Sequence, residues 1–258
     1  MEKGTVMKNT KSSIFSISPK RYFLSAVIVA AGSGTRMGSS VPKQFLPLRD
    51  VPVIIRTLQQ FEKSALVREI IVVARPEDIA WYPPYIEQYS LSKVKKIVPG
   101  GATRQLSALL GLQAISDRSK FIAIHDGARC LIQPEQIDEV ARQAFSVGAA
   151  AAACRSKDTT KLADANGKVM QTLDRKHLWQ VQTPQTFKTE LYRACAYTAK
   201  ANGFSATDDC ALAEALGFAV QLVDCGYQNI KITTPEDLLF ADAILSARAE
   251  KRFADVDY

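Results

Sequence analysis

An α/β fold, with a mostly parallel, twisted sheet flanked by helices and a β-hairpin arm projecting from it, is predicted by three observations. Short apolar runs alternate with amphipathic stretches through most of the 258 residues, the rhythm of strand-helix-strand units. Several runs, such as Ala26–Val29 and Phe121–Ile124, are apolar at every position, as in strands buried on both faces. The stretch 155–182 breaks the rhythm: two short mixed runs flank Ala165-Asn166-Gly167, and Asn-Gly between such runs is a strong hairpin signal.

Taken in order, Ala26–Val29 is a buried strand that breaks into a loop with glycines at 32, 34 and 38. Pro52 opens a helix through about Phe61, with Val53, Ile54, Leu58 and Phe61 at helical spacing. Glu69–Ala74 is a second strand, and Pro76-Glu77-Asp78 starts an element that Pro83-Pro84 divides. A strand at 94–98 turns at Pro99-Gly100-Gly101 into a helix over 102–115, and a strand over 121–124 ends at His125-Asp126. A helix follows from Pro134 to about Val147, and the alanine run 149–153 reads as a strand because it separates a helix from a polar segment. After the hairpin come helices at 188–201 and from Thr207-Asp208-Asp209 to Leu216, a strand at 219–223, the segment Asn229–Ile232, and a closing helix from Pro235. Neither an internal repeat nor a low-complexity linker interrupts this, so residues 22–258 read as a single domain with an arm at about 155–182. A hairpin alone buries too little to be stable, so the arm is expected to pack on something else, such as a second subunit.

In a doubly wound sheet, ligands bind at the carboxyl ends of the strands. The loops at 30–43, 99–104 and 125–129 all fall at such ends. In the first, glycines let backbone amides approach a phosphate, and Arg36 and Lys43 supply cations. The spacing is G-x-G-x-x-x-G, which matches neither a dinucleotide fingerprint nor a P-loop.

Bulk properties narrow the class. A hydrophobic content of 47% is ample for a core, and no apolar run approaches the ~20 residues needed to span a bilayer. Five scattered cysteines without a C-x-x-C, and two histidines, argue for reduced thiols in a cytoplasmic setting and against a zinc site. Much of the net charge of +7 lies in residues 1–21, where Lys3, Lys8, Lys11, Lys20 and Arg21 face Glu2 alone. That stretch reads as a flexible basic tail, with Met7 a second candidate start. A transit segment, which would place the protein in a plastid stroma, would be longer and poorer in lysine. No interleaving of aromatic and basic residues points to nucleic acid.

The ordered motifs Ala30-Ala31-Gly32-Ser33-Gly34-Thr35-Arg36-Met37, Pro42-Lys43-Gln44, Gly100-Gly101-Ala102-Thr103-Arg104, His125-Asp126-Gly127-Ala128-Arg129, Asp158-Thr159-Thr160-Lys161, Asp174-Arg175, Gln182-Thr183-Pro184-Gln185, Thr207-Asp208-Asp209 and Asn229-Ile230-Lys231 resemble those of the 2-C-methyl-D-erythritol 4-phosphate cytidylyltransferase family. The resemblance covers roughly 22–247 and implies a Rossmann-like fold of the nucleotidyltransferase type. It implies attack of the methylerythritol 4-phosphate on the α-phosphorus of CTP, expelling pyrophosphate, in the non-mevalonate route to isoprenoids. It also implies Mg²⁺ or another divalent cation held mainly through the CTP phosphates, with Asp126 the one side chain that would join it, and a homodimer formed through the arm.

Residue by residue, the resemblance assigns Arg36, Lys43, Arg175 and Lys231 to catalysis. It assigns the nucleotide to Ala30, Ala31, Gly32, Gly34, Gly101, Ala102, Arg104 and Ser107. The second substrate falls to Asp126, Arg129, Thr159, Arg175, Thr183, Thr207 and Lys231, with Thr159 and Arg175 reaching in from the partner. Asp208 and Asp209 read as helix caps. Two positions depart from the pattern: Ala102, where the family often has an acid, and Cys130, where it usually has proline. A cytidylyltransferase for another polyol phosphate, such as ribitol 5-phosphate, shares the first loop and the Gln-Thr-Pro-Gln segment. Asp158–Lys161 and Asp174-Arg175 match the methylerythritol enzyme better. An oxidoreductase using a dinucleotide would need different glycine spacing.

Overall fold

The computed structural model describes residues 22–32 and 42–254. Strand β1 (Leu24–Ala30) leads through a 3-10 turn at Lys43–Phe45 and a small hairpin, β2 (Pro47–Leu48) and β3 (Val51–Pro52), into helix α1 (Val53–Lys63). Then come β4 (Val67–Ala74), a 3-10 segment at Pro76–Trp81, α2 (Tyr82–Gln88), β5 (Val94–Pro99) and α3 (Arg104–Ala114). They are followed by β6 (Phe121–Asp126), α4 (Pro134–Val147) and β7 (Ala149–Arg155). The chain continues through β8 (Lys161–Ala163), β9 (Val169–Thr172), a 3-10 turn at Arg175–His177 and β10 (Trp179–Lys188), and closes with α5 (Thr189–Ala201), α6 (Asp209–Glu214), β11 (Gln221–Asp224) and α7 (Pro235–Ala254).

Seven strands form one sheet in the order β11-β7-β10-β6-β1-β4-β5. Adjacent pairs are parallel except on either side of β10, which runs against both β6 and β7. The chain steps from β1 to β4 and β5, then crosses back to β6 on the other side of β1. The crevice of a doubly wound sheet therefore lies between the carboxyl ends of β1 and β6. Register keeps those ends level, with Val29 opposite Asp126, Ala30 opposite Ala74, and Ala74 opposite Pro99.

The core has a layer on each face. On one side Ile54, Leu58 and Phe61 of α1 and Ile137, Val140 and Ala144 of α4 pack on Ala26 and Ile28. On the other, Ala108 and Leu112 of α3 and Tyr192 and Ala196 of α5 pack in the same cluster as Val27, Ile71 and Ile124. Gly111 lets α3 pack closely on β1, since a Cβ there would stand 2.2 Å from Val27 Cγ1. The alanine run is a strand, as its position in the sequence requires, and Ala149–Ala153 are fully buried beneath helices. A third, smaller cluster gathers Leu48, Val53, Cys130, Leu131, Ile232 and Ala241, tying α7 and the segment before it to the loop after β6.

The interior strand β10 and the small β2–β3 hairpin have no counterpart in the sequence reading. β10 is an interior strand, although Pro184 argues against one, because proline cannot serve a central ladder. The sheet accommodates it with a register shift between Val181 and Gln185, beside the cis Thr183–Pro184 peptide. Residues 229–232 are irregular, and α6 stops at Glu214. The arm is present as the antiparallel pair β8–β9. Residues 157–172 are exposed throughout, including Leu162, Val169 and Met170. Its base is β7 paired to β10, where the Arg155 guanidinium lies 3.9 Å from the Trp179 ring centroid.

Candidate active site

A cleft of about 480 Å³ opens at the predicted crevice. It is lined by residues 29–32 from the end of β1, 101–104 and Ser107 from the turn into α3, Asp126 and Ala128 from the end of β6, and Gln44 and Lys231 from elsewhere in the chain. The β1 side is fixed by Gln44, whose Nε2 donates to the carbonyls of Ala30 at 2.5 Å and Gly32 at 2.9 Å. Gln44 is 2% exposed and sits in the same 3-10 turn as Lys43. Arg36 and Gly34 lie outside the described residues, and only the backbone of Lys43 is described.

The opposite wall follows β5. Gly100 allows it to approach the β1 loop, because a Cβ there would fall 2.3 Å from that of Ala31. Helix α3 begins with Thr103 as its cap, the side chain accepting from Leu106 N. Its first turn contains no acid, so the partial positive charge of the helix end faces the cleft uncancelled. The buried hydroxyl of Ser107 accepts from Gly101 N at 3.1 Å and donates to Thr103 O at 2.9 Å. It therefore shapes the turn that presents Gly101 and Ala102. Ala102 is exposed at the rim.

Charge concentrates at Asp126, the last residue of β6 and 7% exposed. Arg104 Nε donates to its Oδ1 at 3.0 Å, Lys231 Nζ lies 2.8 Å from Oδ2, and Arg129 Nε is 3.8 Å from Oδ2. Burial alone would raise the pKa of this carboxyl, but Arg104, Lys231 and Arg129 hold it well below the usual carboxylate range. Arg104 is in turn shared, its Nη1 donating to Asp209 Oδ2 at 2.7 Å. Burial works against its charge, yet the two carboxylates raise it above its ordinary value.

Behind Asp126 is a polar chain with defined directions. His125 Nε2 is 3.2 Å from the carbonyl of Arg129, which can only accept, so Nε2 carries the proton. Nδ1 then accepts from the Thr183 hydroxyl at 3.1 Å, and that oxygen accepts from Asp126 N at 3.0 Å. Burial pushes His125 down to about 3, which keeps the ring neutral as this pattern requires. Asn229, fully buried, donates to Gln182 Oε1 and to the carbonyl of Thr183, both at 2.9 Å. Its main-chain carbonyl accepts from Arg129 Nη1 at 2.8 Å. An irregular segment is thereby fastened to β10, and Lys231 is delivered two residues later.

The structure thus brings together Ala30, Ala31, Gly32, Gly101, Ala102, Arg104, Ser107, Asp126 and Lys231 around one cleft, with Arg129 and Thr183 directly behind it. Thr207 is exposed and does not line the cleft; Thr159 and Arg175 stand on the arm, outside it. Gln44 and Asn229 fall within the motifs Pro42-Lys43-Gln44 and Asn229-Ile230-Lys231 but have no role assigned by sequence, because an amide side chain announces neither burial nor partner. Asp208 is the cap of α6, accepting from Ala211 N at 2.9 Å. Asp209, read as a second cap, is instead buried against Arg104. Cys130 packs with Leu48, Val53 and Ile232, and burial pushes its thiol up to about 12, so it serves as a small apolar residue.

Comparison with known proteins converges on one group. The family model for 2-C-methyl-D-erythritol 4-phosphate cytidylyltransferase matches residues 24–247. A protein of that name from Pelotomaculum thermopropionicum is 42% identical over 226 residues, covering 87% of this chain and 95% of its own length. Another, from Desulforamulus reducens, is 44% identical over 86% of this chain and 96% of its own length. The crystal structure of 4-diphosphocytidyl-2C-methyl-D-erythritol synthase from Anaerococcus prevotii superposes with a TM-score of 0.78 at 33% identity, covering 87% of this chain and 99% of that one.

Proposed function

The chain belongs to the 2-C-methyl-D-erythritol 4-phosphate cytidylyltransferase family, and from that premise we propose that the cleft between β1 and β6 is where its reaction takes place. The protein transfers the cytidylyl group of CTP to 2-C-methyl-D-erythritol 4-phosphate, giving 4-diphosphocytidyl-2-C-methyl-D-erythritol and pyrophosphate, a step of non-mevalonate isoprenoid synthesis. The observation that carries the placement is the cation cluster on Asp126, set at the switch point opposite the β1 loop.

The chemistry is an in-line displacement. An oxygen of the substrate's 4-phosphate bonds to the α-phosphorus, and the bond from that phosphorus to the bridging oxygen of pyrophosphate breaks. A phosphate monoester is already ionised near neutral pH, so no general base is needed. What remains for the protein is alignment and cations where charge builds up. Backbone groups of residues 30–32, 101 and 102 bind the nucleotide, with the positive end of α3 near its phosphates. Arg36 and Lys43 stabilise the crowded α-phosphate, and Lys231 bridges it to the incoming phosphate. Asp126 and Arg129 bind the hydroxyls of methylerythritol phosphate, with Thr183 behind them and Thr207 at the margin.

A divalent cation such as Mg²⁺ suits this site only as a passenger of the triphosphate. Both oxygens of Asp126 already accept from cations, and among the described residues no group of three acidic, histidine or cysteine side chains could hold a metal. When bound, it would supply Lewis-acid polarisation of phosphate oxygens and neutralise charge. The exposed arm, with Leu162, Val169 and Met170 uncovered, supports a homodimer in which Thr159 and Arg175 enter the partner's cleft. Among the described residues no helix is long and apolar enough to cross a membrane. Five buried free thiols support placing the reaction in the cytoplasm. The test is pyrophosphate release across the four common nucleoside triphosphates and two polyol phosphates. CTP with methylerythritol phosphate should exceed every other pair by at least about tenfold. Faster turnover of ribitol phosphate would overturn the assignment.

A further inference from the structure

Asp209 is 1% exposed and does not line the cleft, yet it forms an ion pair of 2.7 Å with Arg104, which does. It is held from two other directions. The Tyr192 hydroxyl donates to Oδ1 at 2.7 Å, and the Asp209 amide donates to Gln185 Oε1 at 2.9 Å. Tyr192 is itself 1% exposed, and its ring stacks on Phe187 with centroids 5.2 Å apart. Burial and the adjacent carboxylate keep the phenol protonated, so it remains a donor.

The consequence rests on the functional reading above, in which Lys231 acts on phosphate. At rest Lys231 is paired with Asp126, so it must change partners during the reaction. A carboxylate this buried, left short of a cation, is costly and would hold the ammonium back. Arg104, hydrogen-bonded to the other carboxylate oxygen at 3.0 Å, keeps Asp126 paired after Lys231 departs, with Arg129 a more distant support at 3.8 Å. A guanidinium beside phosphates has the same incentive to leave, because it binds them through two parallel hydrogen bonds. Asp209 separates the two cations. It gives Arg104 a second anchor, whereas the described ion pairs give Lys231 only Asp126. It also leaves Arg104 Nη2, buried without a hydrogen-bond partner, free to donate to a ligand oxygen.

We infer that Asp209, oriented by Tyr192, is a positioning residue that fastens Arg104 to Asp126, so that Lys231 alone transfers to phosphate. Asp209→Asn keeps the volume and the acceptor for Tyr192 but removes the charge facing Arg104. It should lower kcat about 10- to 100-fold and raise KM for methylerythritol phosphate more than KM for CTP. Asp209→Glu should recover most of kcat, and Tyr192→Phe should lose about 3- to 10-fold in the same parameters. Activity of Asp209→Asn within about twofold of wild type, or no recovery by Asp209→Glu, would overturn the inference. Equal rises in both KM values with kcat unchanged would do so too. If Asp209→Asn does not fold, an unchanged kcat in folded Tyr192→Phe has the same force. A crystal structure of Asp209→Asn needs no turnover: Arg104 should be found off Asp126, and Arg104 still in place would refute the positioning role whatever the substrates are. A wild-type enzyme that releases no pyrophosphate would instead refute the functional reading.

Discussion

A carboxyl group as buried as that of Asp126 would ordinarily give up its charge; here Arg104, Lys231 and Arg129 surround it and keep it. That makes Lys231 the residue whose loss should be felt mainly in the transition state. Lys231→Ala should lower kcat about 100- to 1000-fold with little change in KM for CTP, read by steady-state kinetics in both substrates. His125 makes a separate prediction in pH. Its native value of about 3 lies below its ordinary 6.5, so only well above pH 6.5 does it contribute nothing to pH dependence. As pH falls from there towards 3, the unfolded chain takes up a proton that the native ring refuses, and stability declines. The full span is on the order of 5 kcal/mol. Urea midpoints measured from about pH 7.5 to about 4.5 should therefore fall, and His125→Gln should flatten the slope. Asp126 adds its own loss at lower pH, below its ordinary 3.8. At this scale the sequence exposed Asp126, Arg129 and Lys231 through their motifs. It misassigned Asp209, because an acid at a helix start is adequately explained as a cap and its real partner lies 105 residues away.

At the scale of elements, the cleft depends on how closely the turn after β5 approaches the end of β1. Gly100→Val would place bulk where a Cβ already meets Ala31 at 2.3 Å. KM for CTP should rise about tenfold or more, with the circular dichroism spectrum retained. The buried amide of Asn229 serves the delivery of Lys231: it joins the segment before that lysine to β10 through Gln182 and Thr183. Asn229→Ala leaves those acceptors unsatisfied, so about 1–3 kcal/mol of stability should be lost in denaturant titration, with a parallel loss in kcat. Strands with apolar runs were legible because both faces of the sheet are covered. β10 was not, since its middle carries Gln182, Thr183, Pro184 and Gln185. All four side chains are buried, and the polar ones are satisfied by Asn229, His125, Asp208 and the amides of α6. Such a strand is stabilised by tertiary hydrogen bonds, and no period in the sequence reports it.

For the whole molecule, the topology gathers residues from 30 to 231 at one sheet edge, while the arm carries Thr159 and Arg175 away from it. A complete site would then need two chains. Mixing Lys43→Ala with Arg175→Ala should restore roughly a quarter of wild-type activity, since half of randomly exchanged dimers are mixed and each has one intact site. Verified heterodimers without activity would sink the cross-subunit contribution. The α/β class and the loops of the crevice could be read because alternating strands and helices put successive βα loops at the carboxyl ends of the strands. The arm was legible from Asn166-Gly167, but its partner surface was not, because complementarity across an interface leaves no periodic trace.

The central claim is that the substrate's own phosphate attacks the α-phosphorus of CTP in this cleft. Methylerythritol phosphate labelled with oxygen-18 in its phosphate, turned over with unlabelled CTP, tests it directly. Mass spectrometry should find all of the label in the cytidylyl product and none in pyrophosphate. Label appearing in pyrophosphate, or a product lacking it, would contradict the account.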